Sequence, residues 1–339
     1  MFSLMLILII CILILPGIRI KKEASGLSLD ESTALKGLLC VTIFFHHFSG
    51  WFTDLDPVLY LISHCGSFIV SVFFFLSAYG LSKSSKWQNQ TFKDLILRIL
   101  KLCIPFWITD ILYLIVHFCM DIRLSVDVNL KNILLSTLNL SEIVSFSWFV
   151  STIVFLYCVL FVVKRSYKIN HILLFFIVLS IASFIVPNLW VTFFAFPVGL
   201  LISEKEKYLI NLKTGQYILW SILLVAGTVL FIILKYISVN YDYKMLLDKT
   251  ADAGSGLLFS VLVYLLLTKV HIGNKLVFFL GKISYEFYLV HGLGILFANK
   301  FFDISQPFLF FGTALIFNLT ASYIINTVSK PIRLKISKL

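Results

Sequence analysis

Apolar residues run almost unbroken for long stretches of this chain, and polar positions fall in short clusters between them. The runs cover residues 2–20, 35–52, 58–82, 95–119, 143–163, 171–187, 189–203, 216–237, 254–270, 283–299 and 306–328. A helix needs about 20 residues to cross the ~30 Å hydrocarbon core of a bilayer, whereas an outer-membrane barrel would be written in short alternating strands. The pattern predicts an all-α, polytopic transmembrane helix bundle of about eleven spans. No basic segment precedes the first run and no small-residue cleavage site stands ahead of GIRIKKE, so it reads as a retained helix and not as a signal peptide. The break from Asp121 to Glu142 is too short to fold as a soluble catalytic domain.

Ionisable groups inside such runs cost several kcal/mol unless they face protein or water, so each one needs a reason. In LKGLLCVTIFFHHFSG, residues 35–50, His47 follows Lys36 by eleven positions. On a helix that separation is about 16 Å along the axis and only about 20° around it, which puts both on one face, with His46 about 80° off it. Either Lys36 snorkels to headgroups and His47 bonds a neighbouring helix, or the stripe serves something that reaches in from the cytoplasm. In GKISYEFYLVHG, residues 281–292, Ser284, Tyr288 and His291 are spaced i, i+4, i+7 on one face, while Glu286 points nearly opposite and lies close enough to the helix end to snorkel. Counted at 1.5 Å per residue, His291 stands about 15 Å above Gly281, level with His47. The two histidine stripes are therefore expected to converge on one membrane-embedded chamber.

Further polar positions interrupt other runs. Ser77 and Tyr79 break an aromatic stretch, and Arg98 and Lys101 lie one turn apart below Pro105, where they either anchor the topology or grip phosphates. Asp110, deeper in the same run, calls for a local partner such as His117 or Tyr113.

Composition agrees with the pattern: 60% of residues are hydrophobic, 13% are charged against about 25% in soluble domains, and mean hydropathy is +0.98. All but six of the 28 Lys and Arg fall on one side of the predicted spans, the exceptions being Arg123, Lys131, Lys235, Lys244, Lys249 and Lys300. By the positive-inside rule the C-terminus is cytoplasmic. The net charge of +11 then reflects topology and attraction to anionic lipid, with no nucleic-acid partner. The six cysteines are scattered without CxxC or metal-ligand spacing, so no metal site is expected.

Five segments in order resemble the acyltransferase 3 family of multi-spanning membrane acyltransferases, over roughly residues 28–328. The family's basic residue, ten spacers and histidine correspond to Lys36 and His47. Its FF-x-LSG-like segment is similar to FFFLSAYG (73–80), and its RxxR before a proline to Arg98, Lys101 and Pro105. A Trp-Phe-Leu-like helix start resembles SWFVSTIVFLY (147–157), and GxxSYxxYLxH resembles GKISYEFYLVH (281–291). Departures are Lys101 for the second Arg, Ala78 for Gly, and Ser147 where a His often precedes the Trp.

The resemblance implies a ten-helix core at 28–328, preceded by an extra transmembrane helix and cytoplasmic linker at 1–27 and followed by a short basic cytoplasmic tail at 329–339. It also implies a bacterial cytoplasmic-membrane enzyme that moves an acyl group, usually acetyl, from cytoplasmic acetyl-CoA to a hydroxyl of a surface or exported polysaccharide or its lipid-linked precursor. Acetyl-CoA would be a co-substrate, with no permanently bound cofactor and no metal. The catalytic candidates are His47, as the base that removes the hydroxyl proton, and His291, which would orient the acceptor, stabilise the oxyanion or take the acyl group briefly. Lys36, Arg98 and Lys101 would hold the CoA phosphates. Ser77, Asp110, Trp148, Ser284 and Tyr288 are supporting or substrate-binding candidates. The competing reading is a proton-coupled transporter or a lipid-linked glycan flippase, since interior His, Asp and Lys also suit carriers.

Overall fold

The computed structural model describes residues 2–84, 89–165, 170–185, 191–237 and 244–338. In chain order it runs α1 (Phe2–Ile14), β1 (Arg19–Ile20), α2 (Leu29–Ser49), α3 (Pro57–Ser63), α4 (Gly66–Ser82), α5 (Phe92–Met120), α6 (Leu130–Thr137), α7 (Trp148–Val163) and α8 (His171–Ile185). A 3₁₀ turn at Val191–Phe194 leads into α9 (Ala195–Glu204), α10 (Glu206–Ile210), α11 (Thr214–Ile237), α12 (Lys244–Lys269), β2 (Val270–His271), α13 (Lys275–Lys282), α14 (Ser284–Asn299) and α15 (Pro307–Ser337).

Local chemistry explains where these helices begin and end. Ser28 caps α2 and Thr91 caps α5, each through a capping box, with Glu31 or Asp94 bonding back to the cap residue's own N–H. Pro16 and Gly17 sit in a 3₁₀ turn after α1, so that helix is shorter than the 2–20 run suggested. Beyond it, β1 pairs antiparallel with β2, Arg19 opposite His271 and Ile20 opposite Val270, and these are the only strands among the described residues. Phe2 packs the amino-terminal helix onto the core through rings of Phe48, Phe52, Phe308 and Phe311.

This is an all-α membrane fold. Among the described residues, five helices are long and apolar enough to cross a bilayer alone: Pro57–Ser82 (α3 with α4), Phe92–Met120, Thr214–Lys235, Leu246–Lys269 and Pro307–Ser337. A sixth counts if α13 and α14, bent by 78°, form one span. Shorter apolar helices occupy Phe2–Gly17, Trp148–Val163, His171–Ser183 and Thr192–Glu204. Helix length therefore does not establish eleven crossings; α2 itself carries Lys36, His46, His47 and two acidic residues in its first turn. The junction expected between the sixth and seventh runs, 186–190, lies outside the described residues. The outward side chains are those a bilayer would cover: Leu219, Ile222, Leu223 and Leu230 of α11 are all exposed.

The core lies where α2, α4, α5, α7, α14 and α15 meet, with Phe44, Phe45, Phe74, Phe75 and Phe287 almost fully buried. Two glycines set how closely α2 meets α13. A Cβ on Gly37 would fall onto the Val277 carbonyl and one on Gly281 onto the Thr33 carbonyl, so only hydrogen atoms fit between these backbones. Because a backbone carbonyl cannot rotate away, Gly281→Ala is expected to cost about 1–3 kcal/mol of stability. A melting temperature in detergent equal to the parent's would contradict that packing.

Candidate active site

The site grows from the carboxy-terminal half of α2. His46 turns toward α3, where its Nδ1 donates to the Ile62 carbonyl at 3.2 Å. His47 turns the other way, into the bundle. Its ring stacks on Phe146 at 3.8 Å between centroids and 23° between planes, and lies 4.9 Å from the ring of His291. The two histidine stripes thus meet in direct ring contact, closer than opposite walls of a chamber would bring them.

Helix α14 supplies the other half. Ser284, Tyr288 and His291 share its inner face, and His291 is completely buried. The His291 Nδ1 faces the Tyr288 carbonyl, an acceptor only, so Nδ1 carries the hydrogen and Nε2 holds the lone pair. That Nε2 is buried and has no hydrogen-bond partner. Phe146, in the loop before α7, packs on both imidazoles and receives the Tyr288 hydroxyl on its carbonyl. It does so at φ 63°, a conformation costly for a residue with a side chain, so the surrounding contacts must hold it there.

Two cavities lie nearby; His47 lines the second, and His291 lines neither. The first, about 390 Å³, opens at the Lys36 end of α2 and is walled by Lys36, Ser77, Arg98, Ser284 and Tyr288, along with apolar groups. Four cations, Lys36, Arg98, Lys282 and Arg333, face one carboxylate there, Glu286. The Arg98 Nε is buried without a hydrogen-bond partner and its guanidinium lies 5.4 Å over the Tyr157 ring. The second, about 300 Å³, lies at the histidine end and includes His46, His47, His64, Trp148, Asp252 and Lys235 in its wall. Ile43, Val70 and Tyr288 belong to both walls, so the cavities abut at the level of the tyrosine.

The family model described as an acyltransferase domain matches residues 29–327. The chain belongs to the acyltransferase 3 family. No curated protein and no solved structure matches it significantly. The matched segment of this membrane acyltransferase begins at α2 and ends inside α15, so α1 and β1 precede it and the last turns of α15 follow it.

Several sequence expectations change in space. Of the expected phosphate-binding cations, Lys36 and Arg98 reach the first cavity and Lys101 does not line it. Asp110 touches neither cavity; its partner is Ser136 of α6, whose hydroxyl donates to it at 2.7 Å, and not His117 or Tyr113. Ser77 bonds the Phe73 carbonyl and Ser284 the Gly281 carbonyl while lining the first cavity, and Trp148 lines the second. Glu286 does not snorkel: it is 1% exposed and pairs with Arg333 at 2.8 Å. Counting height from Gly281 assumed a continuous helix, whereas the chain bends at Ile283 between α13 and α14. Asp110→Asn, distant from both cavities and still able to accept from Ser136, is expected to keep transfer activity within about twofold of the parent. A loss of tenfold or more at parental expression would return Asp110 to the site.

Proposed function

We propose that this acyltransferase moves an acyl group, acetyl in the simplest case, from cytoplasmic acyl-CoA to a hydroxyl of a cell-surface or exported polysaccharide or its lipid-linked precursor. In this reading it sits in a bacterial cytoplasmic membrane with its C-terminus inside. The observation that carries the reading is His47, in ring contact with the buried His291, lining one of two chemically different cavities that share Ile43, Val70 and Tyr288 in their walls. The cationic cavity at the Lys36 end suits the phosphates of CoA, with the pantetheine arm directed toward the histidines. The second cavity offers an indole face at Trp148 and a carboxylate at Asp252, held by Lys235 at 2.7 Å, which suits a sugar.

His47 takes the proton of the acceptor hydroxyl as its oxygen attacks the thioester carbonyl. The carbon–oxygen bond forms, the carbon–sulfur bond breaks, and the CoA thiolate leaves and is reprotonated from the imidazolium. His291, with Nδ1–H committed to Tyr288, offers only a lone pair in its neutral state. That tautomer suits a group that shares the proton gained by His47 better than one that donates to an oxyanion.

Radiolabelled acetyl-CoA mixed with purified protein and candidate glycans tests the class of activity. Thioester loss that requires an acceptor supports the enzyme. Passage of intact label across a proteoliposome without thioester loss would make the chain a carrier instead.

A further inference from the structure

The family match ends at residue 327, but α15 continues to Ser337, so the stretch expected as a basic tail is helical. This continuation is anchored to the bend between α13 and α14, where the Asn326 amide donates to the Lys282 carbonyl at 3.1 Å. Arg333 follows Asn326 by seven residues, two helical turns, and therefore lies on the same face. Its guanidinium reaches the cationic cavity and pairs with Glu286 at 2.8 Å, the carboxylate 1% exposed and the guanidinium side chain 24% exposed.

An ion pair whose acid is buried and whose base stays accessible to a cavity that already holds Lys36, Arg98 and Lys282 is not a neutralised structural bridge: three cations remain without a carboxylate in that wall. The guanidinium meets Glu286 through Nη2 alone, at Oε1, and keeps further N–H donors for an anion. We infer that Arg333, positioned by Glu286, is a phosphate-binding residue of the acyl-donor cavity. This inference rests on the acyl-CoA reading above, and its ligand chemistry is a phosphate group, whether of the CoA nucleotide or of a lipid headgroup.

The test compares acetyl-CoA with acetyl-pantetheine, which has the thioester arm but no phosphate, using full-length protein in phosphatidylcholine nanodiscs. The readout is the ratio of kcat/KM for the two donors. Arg333→Ala is expected to lower that ratio about tenfold or more, the effect of losing a hydrogen bond to a charged group. Because Arg333→Ala leaves Glu286 buried and unpaired, Glu286→Gln/Arg333→Ala removes both charges and should show the same fall, while Arg333→Lys retains most of the preference. A parental ratio in the double variant would overturn the inference alone. A fall seen only when anionic phosphatidylglycerol is added would assign Arg333 to a lipid headgroup and overturn its donor role. A parent protein that consumes neither donor would overturn the enzyme reading, and this inference with it.

Discussion

His47→Ala is expected to lower acyl transfer by about 10²- to 10⁴-fold, the range contributed by a positioned general base, while expression and melting temperature stay near the parent's. The side chain is half-buried, lines the second cavity and makes its ring contacts by stacking on Phe146 and meeting His291 and His46 at an angle, so its loss opens space next to an existing cavity instead of stranding a charge. His46→Ala separates chemistry from packing. That ring lines the same cavity but is tied to the Ile62 carbonyl and fits against Gly66, where a Cβ would meet it, and it does not reach His291, so its removal should cost far less activity. Equal losses from both substitutions, measured as kcat with saturating donor, would remove the distinction between the two faces of α2.

Arg98→Ala and Lys36→Ala should each raise the KM for acyl-CoA about tenfold or more, since a hydrogen bond to a charged group is worth roughly 1.5–3 kcal/mol. Lys101→Ala should change it by less than about threefold, because the side chain lies outside the cavity wall. Lys36→Arg keeps the charge and is expected to retain activity. The comparison is informative because Arg98 and Lys101 sit three residues apart on one helix: a membrane-topology role would make them equivalent, whereas donor binding would not. Isothermal titration with CoA distinguishes the two, and parental affinity in Arg98→Ala would return that residue to topology.

What the sequence made legible was what lies on one helix. The period of 3.6 residues brings Lys36 and His47 to one face of α2, and Ser284, Tyr288 and His291 to one face of α14, and the apolar context makes every such polar residue conspicuous. The meeting of the histidines followed from those faces even though the height count from Gly281 did not survive the bend at Ile283. Features that depend on tertiary contact were not legible. Glu286 and Arg333 are far apart in sequence and on different helices, and Arg333 looked like any basic residue after a membrane span. Phe146 is one more aromatic residue in a chain with 34 Phe, and neither its φ of 63° nor its packing against two imidazoles has a signature in composition. Ser136 as the partner of Asp110 depends on α6, a short helix within the break between two apolar runs. The division into two adjoining cavities was also hidden, since Tyr288 belongs to both walls through the packing of several helices at once.

In the proposed mechanism the donor thioester reaches the histidine pair from the Lys36 end. An electron cryomicroscopy structure with a non-hydrolysable thioether analogue of acetyl-CoA tests it most directly. The analogue's phosphates should lie among Lys36, Arg98 and Arg333, its arm should pass Ile43, Val70 and Tyr288, and its carbonyl should stand where an acceptor oxygen bonded to His47 can approach within the ~3–3.5 Å of a near-attack contact. An analogue bound elsewhere, or one whose carbonyl is separated from both imidazoles by a closed protein wall, would contradict the account.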